Sequence, residues 1–249
     1  MIQVENLKKQ YKSGQDVRVV VKTSNWVAKD GCITGFIGHN GAGKTTSLKM
    51  ITGILRPSEG RVLLNGIDIK ENPLEAKKQF GYVSDCPDHF LRLKGIEYLN
   101  FMADMYDVPT QKRLDFIEEY AKRFEIDHAL NQKIVAYSHG MRQKIMIMGA
   151  LIHEPSIWIL DEPLTGLDPE SAFELKKMMK EHVAKGKSVL FSTHVLEVAE
   201  KLCDEIVLIR KGTILFNGTL DQLRAGYPEG TSLEDIFMDI NKDSEEENA

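Results

Sequence analysis

Two short runs of residues have the types and spacing to handle phosphate. Gly38-His39-Asn40-Gly41-Ala42-Gly43-Lys44-Thr45, followed by Thr46, fits G-x-x-x-x-G-K-[ST] and lies between the strand-like CITGFI and a helical pattern. Glycines there let successive backbone N–H groups converge on phosphate oxygens, and the start of a helix adds its positive dipole end. Lys44 would reach the β- and γ-phosphates of a nucleotide, and the Thr45 hydroxyl would ligate Mg²⁺. The bland alternative, a glycine-rich turn matching by chance, is disfavoured by the strand-to-helix context. The second run, Ser156-Ile157-Trp158-Ile159-Leu160-Asp161-Glu162, is a short apolar stretch ending in two acids. A buried strand in an open α/β sheet delivers ligands at its carboxyl end. Asp161 could hold the metal through its water shell, and Glu162 could polarise a water in line with the γ-phosphate. Alone, the two acids read equally well as a solvated strand end.

Together the two runs point to nucleotide hydrolysis without fixing the class of enzyme. A guanine reader of the form N-K-x-D is nearly matched only by Asn241-Lys242-Asp243-Ser244, where the acid comes one place early. An arginine-rich lid, expected of a small-molecule kinase, has no counterpart in the long mixed-charge middle. A third run, Tyr137-Ser138-His139-Gly140-Met141-Arg142-Gln143-Lys144, precedes a helix upstream of the Asp161 strand. With it, residues 1 to 220 resemble the ATP-binding cassette family, the ATPase subunits of ABC transporters, whose signature reads L-S-G-G-Q. Ser138 is a good helix N-cap, and the free N–H groups after it form an anion site.

The resemblance implies an ATP-hydrolysing subunit that closes head to tail with a second cassette around two Mg-ATP, driving a separate membrane permease. Its lodging would then be cytoplasmic, on the inner face of the membrane. It also implies that Ser138 and Gly140 face the γ-phosphate held by the opposite P-loop. Tyr137 and His139 depart from the signature, and His139 is read as passively tolerated beside the phosphate. By the same resemblance Tyr11 stacks on adenine, although a core-packed strand residue is the rival reading. Asp168, in Gly166-Leu167-Asp168-Pro169, matches the loop that contacts the other protomer, and it can cap a helix as well. His194 is similar to the switch histidine that hydrogen-bonds the γ-phosphate. Asp85 stands where the family usually has Gln or Glu near magnesium, and its shorter side chain favours a water-bridged contact. Residues 86–106, with Phe90, Leu93, Tyr98 and Phe101, would line the groove for a permease coupling helix or else form helical core. KIMIMGALIHEP and the Y-S-x-G-M signature look most like EcsA-like, exporter-type ATPases. No maltose-type regulatory domain follows residue 220, which points away from many sugar importers. The rival within the family is a soluble ABC ATPase of DNA repair or translation, which needs a long coiled-coil insertion or a second cassette.

These residues need a scaffold. The expected fold is α/β, a P-loop ABC ATPase fold with a RecA-like core, an N-terminal antiparallel β-subdomain and an inserted α-helical subdomain. Residues 1–37 carry β-rich pieces (IQVENL, VRVVV, CITGFIG), Thr45 to about Leu55 reads as helix, and RVLLNGIDI reads as a strand, an Asn-Gly turn and a strand. Residues 87–152 form the helical insertion, with Leu114, Ile117, Ala121 and Phe124 at helical spacing and a second helix from about Met141 to Ile152. Strands return as SIWILD, SVLFS and EIVLI around a helix capped by Asp168, opened by Pro169 and ended before Gly186. Alternating β and α elements of this length predict a parallel sheet. Residues 221–249 form an extension whose acidic end, NKDSEEENA, is expected to be disordered.

Composition narrows the partners. The 249 residues are 42% hydrophobic and 28% charged, enough apolar material for a core, and the net charge of −5 offers no basic footprint for nucleic acid. No run reaches the roughly 18 apolar residues of a membrane span, and the N-terminus lacks a signal-peptide core. Cys32, Cys86 and Cys203 are far apart and lack metal-ligand spacing, so they are expected to be reduced thiols.

Overall fold

The computed structural model describes residues 1–14 and 16–246. Strands β1 (Ile2–Ser13) and β2 (Asp16–Ala28) form a hairpin that joins β4 (Glu59–Leu64) and β5 (Ile67–Asp68) in an antiparallel sheet ordered β2-β1-β4-β5. Asn65 and Gly66, both left-handed at φ 49° and 79°, make the tight turn between β4 and β5 that the Asn-Gly pair predicts. The second sheet takes β3 (Ile33–Ile37), β6 (Phe80–Val83), β7 (Ile157–Leu160), β8 (Ser188–Thr193), β9 (Glu205–Arg210) and β10 (Thr213–Thr219) in the order β10-β9-β3-β8-β7-β6. The pairings of β3 and β6 to β9 are parallel, and β10 is an antiparallel edge.

Every residue of β3, β7 and β8 is buried, because helices and the antiparallel sheet cover both faces. Phe36, Ile157, Ile159, Leu190 and Val207 turn toward the antiparallel sheet and α1 (Lys44–Ile51). Their chain neighbours Ile37, Trp158, Leu160, Val189 and Leu208 turn the other way, into a core shared with the helical insertion. That alternation, period two on a sheet buried on both sides, explains why these strands read as continuous apolar runs. After α2 (Pro73–Lys78) and β6 come the helices α3 (Gly95–Met105), α4 (Thr110–Arg123) and α5 (His139–Leu151), and after β7 comes α6 (Pro169–Ala184). The chain closes with α7 (Leu196–Leu202), α8 (Leu220–Arg224) and α9 (Leu233–Glu246).

Some expectations need correction. The first two strands are far longer than the β-rich pieces in the sequence, since each is paired along its length across the hairpin. Helix α1 stops at Ile51, not near Leu55, and Gly53 turns out of it at φ 70°. Strand β10 was not foreseen; Lys211 and Gly212, at φ 45° and 78°, fold it back on β9. The acidic end expected to be disordered is helical through Glu246, because α9 is nucleated on buried Leu233, Ile236 and Phe237 and propagation then costs little. Residues 247–249 lie outside the described residues.

Candidate functional site

The carboxyl ends of β3, β7 and β8 lie side by side, since Ile37 pairs with Thr193 and Leu160 with Phe191. Each strand releases a loop at the same edge. After β3 the glycine-rich loop turns into α1, whose N-cap residue, Gly43, offers no side chain to its first turn. Those first N–H donors must be met from outside the helix, the usual basis of an anion site. Lys44, only 6% exposed, donates to the carbonyls of Gly38 at 2.7 Å and His39 at 3.3 Å. His39 and the crest residues Asn40 and Gly41 are exposed, Ala42 is buried, and Thr46 is half-buried on α1.

After β7 stand Asp161 and Glu162. Asp161 is fully buried; its Oδ1 accepts a 2.5 Å hydrogen bond from the Ser192 hydroxyl, and its Oδ2 is buried without a partner. Burial drives its carboxyl above the ordinary carboxylate range, with the charges of Asp85 and Glu162 adding to the rise, against the Ser192 hydrogen bond and the nearby Thr45 hydroxyl, which favour the ionised form. Glu162 sits in the left-handed region at φ 48°, a conformation costly for a non-glycine residue and common where a side chain must be aimed. Its Oε1 is 3.3 Å from Lys44 Nζ and its Oε2 is 3.0 Å from His194 Nδ1. The Ser192 hydroxyl also accepts from the Glu162 N–H at 2.9 Å, so one residue orients both acids. The sequence reading gave Ser192 no role. The signal was available: parallel strands ending level place residue 192 beside residue 161.

The structure thus gathers Lys44, Thr45, Asp161, Glu162 and His194 at one edge, with Asp85 near enough to oppose ionisation of Asp161. Tyr11 is 46% exposed, with Lys9 Nζ 4.9 Å over its ring, and is not the core residue of the rival reading. It pairs with Arg18 near the hairpin tip, two residues from Val20, whose carbonyl lies close to Gly43.

The signature residues form a second, distinct group. Ser138 caps α5, its hydroxyl accepting from the Met141 N–H at 3.2 Å. Tyr137 is buried and donates from its hydroxyl to the Ala129 carbonyl at 2.7 Å. His139 lies across the loop that follows Glu162: a Cβ on Gly166 would come within 2.3 Å of His139 Cδ2, so the close approach requires glycine. Gly140 approaches the Gly166 carbonyl in the same way. Lys144, also unforeseen, is 3.3 Å from Asp168 Oδ2. Asp168 caps α6, accepting from the Ser171 N–H at 2.8 Å and the Ser171 hydroxyl at 2.6 Å, and those bonds hold its carboxyl well below the usual range. Of the large side chains expected at a coupling groove, Tyr98 is core, whereas Phe90 and Phe101 are exposed and 5.7 Å apart between ring centroids.

The family model described as "ABC transporter" matches residues 21–165. The chain is 34% identical over 225 residues to the ABC-type transporter ATP-binding protein EcsA of Bacillus subtilis, covering 90% of this chain and 91% of that one. Among solved structures it is similar to an ATP-binding subunit of an ABC transporter, with a TM-score of 0.90 and 32% identity over 96% of this chain and 99% of the other. A dimeric ATP-binding cassette in a post-hydrolysis state, bound to ADP and Pi, gives a TM-score of 0.80 at 25% identity, covering 88% of this chain and 99% of that one.

Proposed function

The chain belongs to the ABC transporter family, and from that premise we propose that the edge formed by β3, β7 and β8 is where this ATP-binding subunit hydrolyses ATP. The observation that carries the reading is the Glu162 carboxylate held between Lys44 at 3.3 Å and His194 at 3.0 Å, at the mouth of a glycine-rich loop. Lys44 and the first N–H groups of α1 bind the phosphate chain, Tyr11 takes the adenine, and Glu162 accepts a proton from water attacking the γ-phosphate. His194 holds Glu162 on one side and would hydrogen-bond the γ-phosphate on the other.

The residues present fit Mg²⁺: the buried, unpartnered Asp161 Oδ2 and the adjacent Thr45 hydroxyl supply oxygen, as this ion prefers. The described residues contain no cluster of three His, Cys, Asp or Glu able to hold a metal alone, which suits an ion completed by phosphate and water. When bound, Mg²⁺ would neutralise charge developing on the transferred phosphoryl group.

Ser138 and the start of α5 would face the γ-phosphate in a second copy or a homologue, as the dimeric relative supports. A permease is the further partner that the match to the ABC transporter family supports; no described helix is long and apolar enough to cross a membrane. Exposed Phe90 and Phe101 are the seat offered to it, on the cytoplasmic face, with export the direction by likeness to the EcsA branch. The test is thermal unfolding with and without Mg-ATP. The parent gains Tm, and Lys44→Ala folds but gains none. An unchanged ATP-induced shift in that variant would remove the P-loop from the site.

A further inference from the structure

We propose that helix α9 of the C-terminal extension braces the nucleotide site, and that Phe237 is a positioning residue for the glycine-rich loop, acting through His39. The inference rests on the ATP-site reading and assigns a role to a segment outside the motifs. Phe237 is 4% exposed, and its ring centroid lies 5.0 Å from that of His39, the planes tilted by 58°. That is the tilted, offset arrangement aromatic pairs prefer. His39 is the first residue after Gly38 in the loop, and its carbonyl accepts from Lys44 Nζ at 3.3 Å and from the Ala42 N–H at 3.1 Å. A ring fixed against the His39 side chain therefore fixes an acceptor that orients Lys44.

The brace is itself anchored. Leu233, Ile236, Phe237 and Ile240 recur at helical spacing on one stripe of α9, and this stripe shares a core with Ala199 and Leu202 of α7. The Ser232 hydroxyl accepts from the Asp235 N–H at 3.1 Å to start α9, and Arg224 of α8 pairs with Glu200 of α7. Helix α7 begins two residues after His194. Helix α9 thus touches His39 in the loop that leads into Lys44 and packs on α7, the helix that follows His194. A glycine-rich loop pays heavily in conformational entropy when it orders around a ligand. One residue pinned beforehand lowers that cost, so the brace acts on nucleotide affinity. Once phosphates hold the loop, the brace adds little, and turnover at saturation is spared.

The test is Mg-ATP affinity by isothermal titration, with steady-state hydrolysis alongside, on the full chain. Phe237→Ala should raise Kd and KM roughly two- to tenfold, the range a lost aromatic pair predicts, with kcat within about twofold. His39→Ala should weaken binding similarly, and the double variant should bind no worse than His39→Ala alone. If Phe237→Ala does not fold, Phe237→Leu keeps the apolar bulk without the ring and should show the same loss of affinity against an unchanged Tm. Unmoved Kd in the folded variant, or losses that multiply in the double variant, would overturn the brace. A parent that binds no Mg-ATP at all would instead overturn the nucleotide site.

Discussion

The two ends of strand β7 bury polar groups in opposite ways. At its carboxyl end lie ionisable groups with neighbours that handle charge: Asp161 against Ser192, and Glu162 between Lys44 and His194. At its amino end the buried groups are neutral rings. His153 stacks on Tyr106 at 3.7 Å with its Nε2 3.2 Å from the Phe80 carbonyl, and His182 leans on Trp158 at 5.7 Å. Burial pushes both imidazoles down to about 4, with nearby Lys187 adding to the fall. A strand only four residues long therefore separates two acids held by hydrogen-bonding and charged partners from two imidazoles packed on aromatic rings. Open α/β sheets bind ligands at the carboxyl ends of their strands. On the proposed function the carboxyl end carries the reaction, while the rings at the amino end hold the sheet to the helices packed on it.

The largest effect should come from the reacting end. Glu162→Gln removes the base while keeping the shape, so turnover should fall about 10²- to 10⁴-fold with ATP still bound, and an ATP-bound dimer should accumulate on size-exclusion chromatography. Retained hydrolysis without a dimer would take Glu162 out of the mechanism. The neutral end should answer to pH. An unfolded histidine takes up its proton near pH 6.5, whereas folded His182 does so only near 4, so its contribution is intact above the first value and lost as pH falls toward the second. At pH 5 that amounts to about 2 kcal/mol for His182, and urea midpoints for His182→Gln should fall less steeply with acid than the parent's. Equal slopes would mean that His182 binds its proton alike in the folded and unfolded states. The smallest effect belongs to His139, exposed and set against Gly166. His139→Gly should hydrolyse ATP at or above the parent's rate between about pH 6 and 8 and shift stability by no more than about 0.5 kcal/mol. A large loss of activity would make its contact with the loop after Glu162 functional.

How much of this could be read in the sequence depended on how local each feature is. The glycine-rich loop, the apolar run ending in Asp161-Glu162 and the Ser138 cap are contiguous and so could be found in the sequence, although the two acids gained a role only beside the loop, and Ser138 only through the family resemblance. The Asn65-Gly66 turn and the Asp168-Pro169 helix start were legible for the same reason. What escaped depends on register or on contacts between distant segments. Ser192 orients both acids only because β7 and β8 end level, and Phe237 meets His39 across nearly 200 positions of chain. In the extension the apolar spacing of SLEDIFMDI reads as helix, and only the acidic NKDSEEENA reads as disordered, because its composition does not show that α9, seated by Leu233, Ile236 and Phe237, runs on through Glu246.

The most direct measurement compares Glu162→Gln and His182→Gln in the same pair of assays, ATP hydrolysis and urea unfolding at neutral pH. Opposite losses are expected: Glu162→Gln nearly inactive with an unfolding midpoint close to the parent's, and His182→Gln active but destabilised by roughly 1–2 kcal/mol. An active Glu162→Gln, or a His182→Gln that loses hydrolysis while unfolding like the parent, would contradict that expectation.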